Sequence, residues 1–128
     1  MTTQPQTVSE LDLEQLTALF RLLSDKTRLN ILLLLASGEQ NVTWLCNELN
    51  LPQPTVSHHL GLLRMNSIIA NRRAGKQVFY QLNGRVDRHD SRALSIHTEH
   101  YAVTITRAAN GATVHAMPHR MPEAVGAL

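Results

Sequence analysis

Leu51-Pro-Gln-Pro-Thr-Val-Ser-His-His-Leu-Gly-Leu-Leu-Arg-Met65 is the stretch whose reading decides the fold. Pro54 has no backbone N–H to donate, so it is comfortable only in a helix's first turn, and a helix is predicted to start near Gln53. From there Val56, Leu60 and Leu63 fall at i, i+4 and i+7 and form one apolar stripe. Thr55, Ser57, His58 and Gly61 lie on the opposite side, all small or polar and none acidic. One buried stripe and one short, hydrogen-bonding, acid-free face suit insertion into a DNA major groove. An ordinary amphipathic surface helix would share the stripe, so the flanking sequence has to decide.

Upstream, Trp44, Leu45 and Leu49 supply the apolar positions of a short helix, Val42 to Leu49, which Asn41 can cap. Asn50-Leu51-Pro52 then makes a tight turn, and helix, turn and second helix with a polar outer face is a helix-turn-helix. Further back, Ser9 with Asp12 and Glu14 opens a helix in which Leu13, Leu16, Leu19, Phe20 and Leu23 recur at helical spacing. That apolar surface either belongs to the monomer's core or packs partly against a second subunit. Ser24 or Asp25 caps the next helix, Lys26 to Ser37, and Gly38 ends it.

Downstream, the period changes to two. Ile68 to Asn71 and Gln77 to Leu82 read as strands, with Arg72-Arg-Ala-Gly-Lys76 as the hairpin loop between them. A structural hairpin has no need of three positive charges near its turn, whereas a wing lying along a phosphate backbone does. The charge distribution points the same way. Residues 1–52 carry three basic against six acidic residues, a net of −3, and residues 53–92 carry seven against two, a net of +5. Residues 93–128 balance at zero. A basic block beginning at the candidate recognition helix is the footprint of a polyanion binder.

Residues 19 to 82 resemble the winged helix-turn-helix of the ArsR/SmtB family of bacterial repressors. Leu23-Ser-Asp-Lys-Thr-Arg-Leu-Asn-Ile-Leu32, Gln53-Pro-Thr-Val-Ser-His-His-Leu60 and Arg72-Arg-Ala-Gly-Lys-Gln-Val-Phe-Tyr80 carry the resemblance. It implies a homodimer that sits on operator DNA, expected to be an inverted repeat, and leaves it when an inducer binds. It also implies that Gln53, Thr55, Ser57 and His58 approach the bases, with His59, Arg64, Arg72, Arg73 and Lys76 near phosphates. His59 lies closer to the apolar stripe, which leaves a structural role open for it. Gly61 departs from the family, which often has lysine there.

The family's thiol-based sensors carry a Cys-x-Cys pair where this chain has Asn41 and Thr43, which offer no thiolates. Cys46, the single cysteine, excludes an intrachain disulfide and reads as a small buried apolar residue. A second type of family site is written Asp-x-His then His-x-x-His. Asp87, His89, His97 and His100 are the matching candidates, and zinc is the one cofactor they could hold. Leu94 to Thr106, however, is β-branched and roughly alternating, and in one strand His97 and His100 would point to opposite faces. Solvated histidines on a β surface, and no metal or other cofactor, are therefore expected. Asn110-Gly111 is a strong hairpin turn, returning through Ala112-Thr-Val-His-Ala116. That hairpin is free to cover a dimer interface, bind a small ligand or recruit another protein.

The expected fold is mainly α with a small β component: a winged helix-turn-helix with an extra C-terminal β-hairpin. Residues 1–8 are expected as a disordered leader, 9–92 as the DNA-binding domain, 93–117 as the extension and 118–128 as a flexible tail. The longest apolar run, Ile31 to Ala36, is too short to span a bilayer, and the first residues lack a signal peptide's pattern, so a cytoplasmic protein is expected. No nucleophile–base grouping or open three-ligand metal motif is legible, so an enzyme is not expected. The competing reading is a protein-interaction module on the same scaffold, which the basic wing and acid-free helix face argue against.

Overall fold

The computed structural model describes residues 7–90, 93–108 and 111–118. The expected leader and tail lie almost wholly outside these. Helices α1 (Glu10–Leu23) and α2 (Lys26–Leu35) come first, then a short strand β1 (Gln40–Asn41), α3 (Val42–Leu49) and α4 (Gln53–Met65). Strands β2 (Ile69–Ala74) and β3 (Gln77–Leu82) follow, then β4 (Val86–Asp90), β5 (Ala93–His97), β6 (Tyr101–Ala108) and β7 (Gly111–Pro118).

Local chemistry explains the helix boundaries. Ser9 accepts from the Asp12 amide to start α1, Asp25 from Arg28 to start α2, and Asn41 from Trp44 to start α3. Helix α2 stops at Leu35, two residues before the expected end, because Ala36 and Ser37 tighten into a turn that Gly38 closes at φ +138. Asn50 caps α3 in the left-handed conformation, which asparagine tolerates, and the chain turns through Leu51 and Pro52 straight into α4. The α4 stripe is the centre of the core, with Val56, Leu60 and Leu63 all 0% exposed. Ile31, Leu32 and Leu35 of α2 and Leu45 of α3 pack in the same cluster.

Among the described residues the strands form two antiparallel sheets, one in the order β1-β3-β2 and the other β4-β5-β6-β7. In the first, the β2–β3 ladder continues to Ala74 opposite Gln77, so the turn is only Gly75 and Lys76, with Gly75 at φ +63. Arg72 and Arg73, expected in the loop, are strand residues opposite Phe79 and Val78. As neighbours in a strand they project to opposite faces.

The second sheet corrects two expectations. The stretch from Leu94 to Thr106 is two strands rather than one, because Thr98 turns the chain. Its amide donates to the Tyr101 carbonyl at 2.8 Å, and its hydroxyl accepts from the Tyr101 amide at 3.1 Å. The extension is also larger than a hairpin. The β6–β7 hairpin is present, Ala108 opposite Gly111, but β5 and β4 extend its ladder so that the sheet begins at Val86. Asn110, half of the expected turn, lies outside the described residues. Val86, Leu94, Ile96, Val103 and Ile105 line one face of this sheet and join the helical core.

Candidate nucleic-acid interface

The apolar stripe of α4 is buried, so its opposite side is held outward. Gln53, Thr55, Ser57 and His58 are all exposed, which places the four expected base-reading residues in the first two turns of one helix. His59 behaves differently. Its side chain is only 14% exposed, and Nδ1 lies 3.4 Å from the Arg28 guanidinium and 3.8 Å from the Asp25 carboxylate. Arg28 in turn donates to the Leu22 carbonyl at 2.7 Å and gives its amide to Asp25. That backbone hydrogen bond is the largest influence holding the Asp25 carboxyl below its ordinary range, with the neighbouring His59 and Arg28 charges adding to it. His59 thus ties α4 to the α1–α2 junction, and the structural role left open for it is the one the geometry supports.

The basic wing also divides. Arg73 and Lys76 are exposed, and among the described residues neither pairs with an acid. Arg72 instead forms a two-pronged bond with Glu39, at 2.8 and 2.7 Å, and its guanidinium lies 4.7 Å above the Phe79 ring. The same bond lowers the Glu39 pKa and raises that of Arg72. Arg72 therefore ties the wing to the segment before β1, with its charge already matched by Glu39.

The net charge of residues 53–92 overstated the free positive surface for the same reason. Arg85 donates to the His97 and Asn66 carbonyls at 2.9 and 2.8 Å, and Arg88 to the Ala36 carbonyl at 2.7 Å. Neither role is visible in a linear sequence, since the acceptors are backbone atoms brought close only by folding.

A model of the bacterial regulatory proteins of the arsR family matches residues 25–68, from the cap of α2 to the residue before β2. The transcriptional repressor SdpR of Bacillus subtilis is 36% identical over 67 residues, which span 52% of this chain and 74% of SdpR. The chain belongs to the ArsR family. The arsenical resistance operon repressor of Escherichia coli is 45% identical over 69 residues, 53% of this chain, but the match spans only 59% of that repressor's length. Among solved structures, the homodimeric winged helix-turn-helix DNA-binding domain Mb0332 of Mycobacterium bovis superposes with a TM-score of 0.54 at 28% identity. That superposition covers 64% of this chain and 77% of the domain.

The candidate metal-ligand positions of this ArsR-family chain have other occupations. Asn41 caps α3, its side-chain oxygen 2.7 Å from the Trp44 amide. Cys46 is half-buried against the core. Asp87 and His97 do meet across β4 and β5, at 2.6 Å, but His89 bonds to Ser95 at 2.7 Å and His100 to Asp12 of α1 at 2.8 Å. The four candidates are thus divided among three places. His97 and His100 are separated by the Thr98 turn rather than by opposite faces of one strand.

Proposed function

We propose that this protein is a homodimeric transcriptional repressor that binds double-stranded operator DNA and is released by a small-molecule signal. The observation that carries the reading is the exposed, acid-free face of α4 beside a wing whose Arg73 and Lys76 have no acidic partner among the described residues. Gln53, Thr55, Ser57 and His58 read base edges in the major groove. Arg64, Arg73 and Lys76 hold phosphates and set the register. Leu13 and Phe20 stand 47% and 44% exposed one above the other on α1, an apolar strip that a second subunit would cover. A two-fold dimer places its recognition helices about 34 Å apart, on an inverted repeat. Such a regulator works in the cytoplasm, and no helix among the described residues is long and apolar enough to cross a membrane.

Fluorescence anisotropy on DNA from the gene's upstream region, run across salt, tests this. Tight, salt-dependent binding is expected, with His58→Ala relaxing preference at one base position by about 1–3 kcal/mol. Absent or salt-insensitive binding refutes the reading, and equal weakening of His58→Ala on every sequence removes that histidine from base readout.

A further inference from the structure

An opening lies between α1 and the start of the second sheet, beside the C-terminal cap of α4. It is a cavity of about 680 Å³, within the range of small-molecule sites. Ala18, Leu19 and Leu22 of α1 make an apolar wall, and Arg85, Asp87 and Glu99 bring charge of both signs to the other side. These charges do not cancel one another. Asp87 is bonded to His97, and Glu99 accepts weakly from Gln15 at 3.5 Å, while Arg85 has no ion pair with any described carboxylate. Among the described residues Arg85 bonds only to two backbone carbonyls, which leaves guanidinium N–H groups over, and burial pushes its pKa down.

We propose that this cavity binds a small zwitterion with an apolar side chain, an amino acid or dipeptide, and that its occupation is the signal that alters DNA binding. The ligand's carboxylate meets Arg85, its ammonium group meets Asp87 and Glu99, and its side chain lies on Ala18, Leu19 and Leu22. A simple anion would be repelled by the two carboxylates and a simple cation by Arg85, whereas a zwitterion offers each sign an opposite partner. The connection to DNA is a single residue long. Arg85 donates to the carbonyl of Asn66, which is the C-cap of the recognition helix α4, and to the carbonyl of His97, the last residue of β5. A carboxylate that draws the guanidinium into the cavity competes with the bond to Asn66, and so reaches α4 from the end opposite its base-reading residues. The signalling part rests on the repressor reading above, while the binding part does not.

Isothermal titration calorimetry on the full chain, with L-leucine and L-leucyl-L-leucine as probes, tests the site without DNA. At least one probe is expected to bind saturably. Asp87→Asn should weaken it about tenfold or more, as loss of a charge-assisted hydrogen bond does, and Ala18→Trp should abolish it by filling the cavity. Circular dichroism confirms that both variants fold. The site is overturned if neither probe saturates, or if both variants bind as the unaltered chain does. It is equally overturned if 4-methylpentanoate or 3-methylbutylamine, each lacking one charge of leucine, binds as tightly as leucine. Anisotropy on upstream DNA with saturating probe then tests the link: weaker DNA binding supports it, and unchanged affinity overturns it. A chain that binds the probe but no DNA under any condition refutes the repressor reading and leaves the site standing.

Discussion

The two sheets of this molecule are attached to the same helical core by different means, and arginine serves opposite purposes in them. Sheet β1-β3-β2 follows directly from α4. Ser67 turns the chain at φ 60, Ile68 and Ile69 drop into the core, and the ladder then runs outward to a turn in solvent. Its outer end presents Arg73 and Lys76 to whatever lies outside. Sheet β4-β5-β6-β7 buries one apolar face, and its edges are held by polar ties across long sequence separations. Arg88 reaches the end of α2, Arg85 the end of α4, and His100 the start of α1. Arg73 and Lys76 of the wing thus have no acidic partner among the described residues, whereas Arg85 and Arg88 at the second sheet are bonded to backbone carbonyls. A count of basic residues is therefore a poor measure of a binding surface until their partners are known.

The largest effects should separate the two regions by stability. Leu60→Ala empties the centre of the helical core and is expected to cost about 2–5 kcal/mol in urea denaturation. Ile96→Val in the second sheet is expected to cost only about 0.5–1.5 kcal/mol. Equal losses for the two would mean that the sheet and not α4 sets the molecule's stability. Within the wing, Arg73→Ala should flatten the dependence of log affinity on log salt by about one unit. Arg72→Ala should leave that slope nearly unchanged, since its charge is matched by Glu39. A slope that falls as much for Arg72 as for Arg73 would return Arg72 to the phosphate surface.

A smaller effect is expected at Gly61, where an added Cβ meets nothing within 4 Å. Gly61→Lys should raise stability by about 1 kcal/mol through helix propensity alone. If the new ammonium group reaches a phosphate, the salt slope steepens by about one unit as well.

The smallest effect is a pH dependence at the tie between α1 and the second sheet. The His100 pKa is raised, chiefly by its hydrogen bond to Asp12, and that bond likewise does most to lower the Asp12 pKa. The stabilisation from His100 is therefore complete below its ordinary value near 6.5 and is lost as pH rises through the higher folded value. That from Asp12 is complete above its ordinary value near 3.8 and is lost as pH falls through the lower folded value. The tie should hold best between these two ordinary values. An NMR titration of the His100 ring checks it, and Asp12→Asn should bring the histidine's midpoint down toward the ordinary one. A midpoint unmoved by that substitution would show that Asp12 is not the partner.

Much of the recognition module was legible because its signals are local. Pro54 in the first turn, the i, i+4, i+7 stripe and the caps at Ser9, Asp25 and Asn41 each depend on neighbours a few residues away, and each appears where expected. The second sheet was only half legible for a related reason. Alternation over Leu94–Thr106 signalled strand, but the reversal at Thr98 rests on a side-chain bond to Tyr101, with no glycine or proline to announce it. The roles of Arg72 and Arg85 were not legible from the sequence at all.

From its sequence alone, this protein's helix-turn-helix, its basic wing and the exposed face of α4 were determined, because hydrophobic period and capping act over one or two turns of chain. Only the tertiary structure decided which charges remain free. The acid opposite Arg72 is 33 positions away and the carbonyl opposite Arg88 is 52. The cavity beside Arg85 exists only because α1 and β4–β5, distant in sequence, enclose it. An ion pair or a pocket is a property of distances in space, and periodicity along the chain does not encode them.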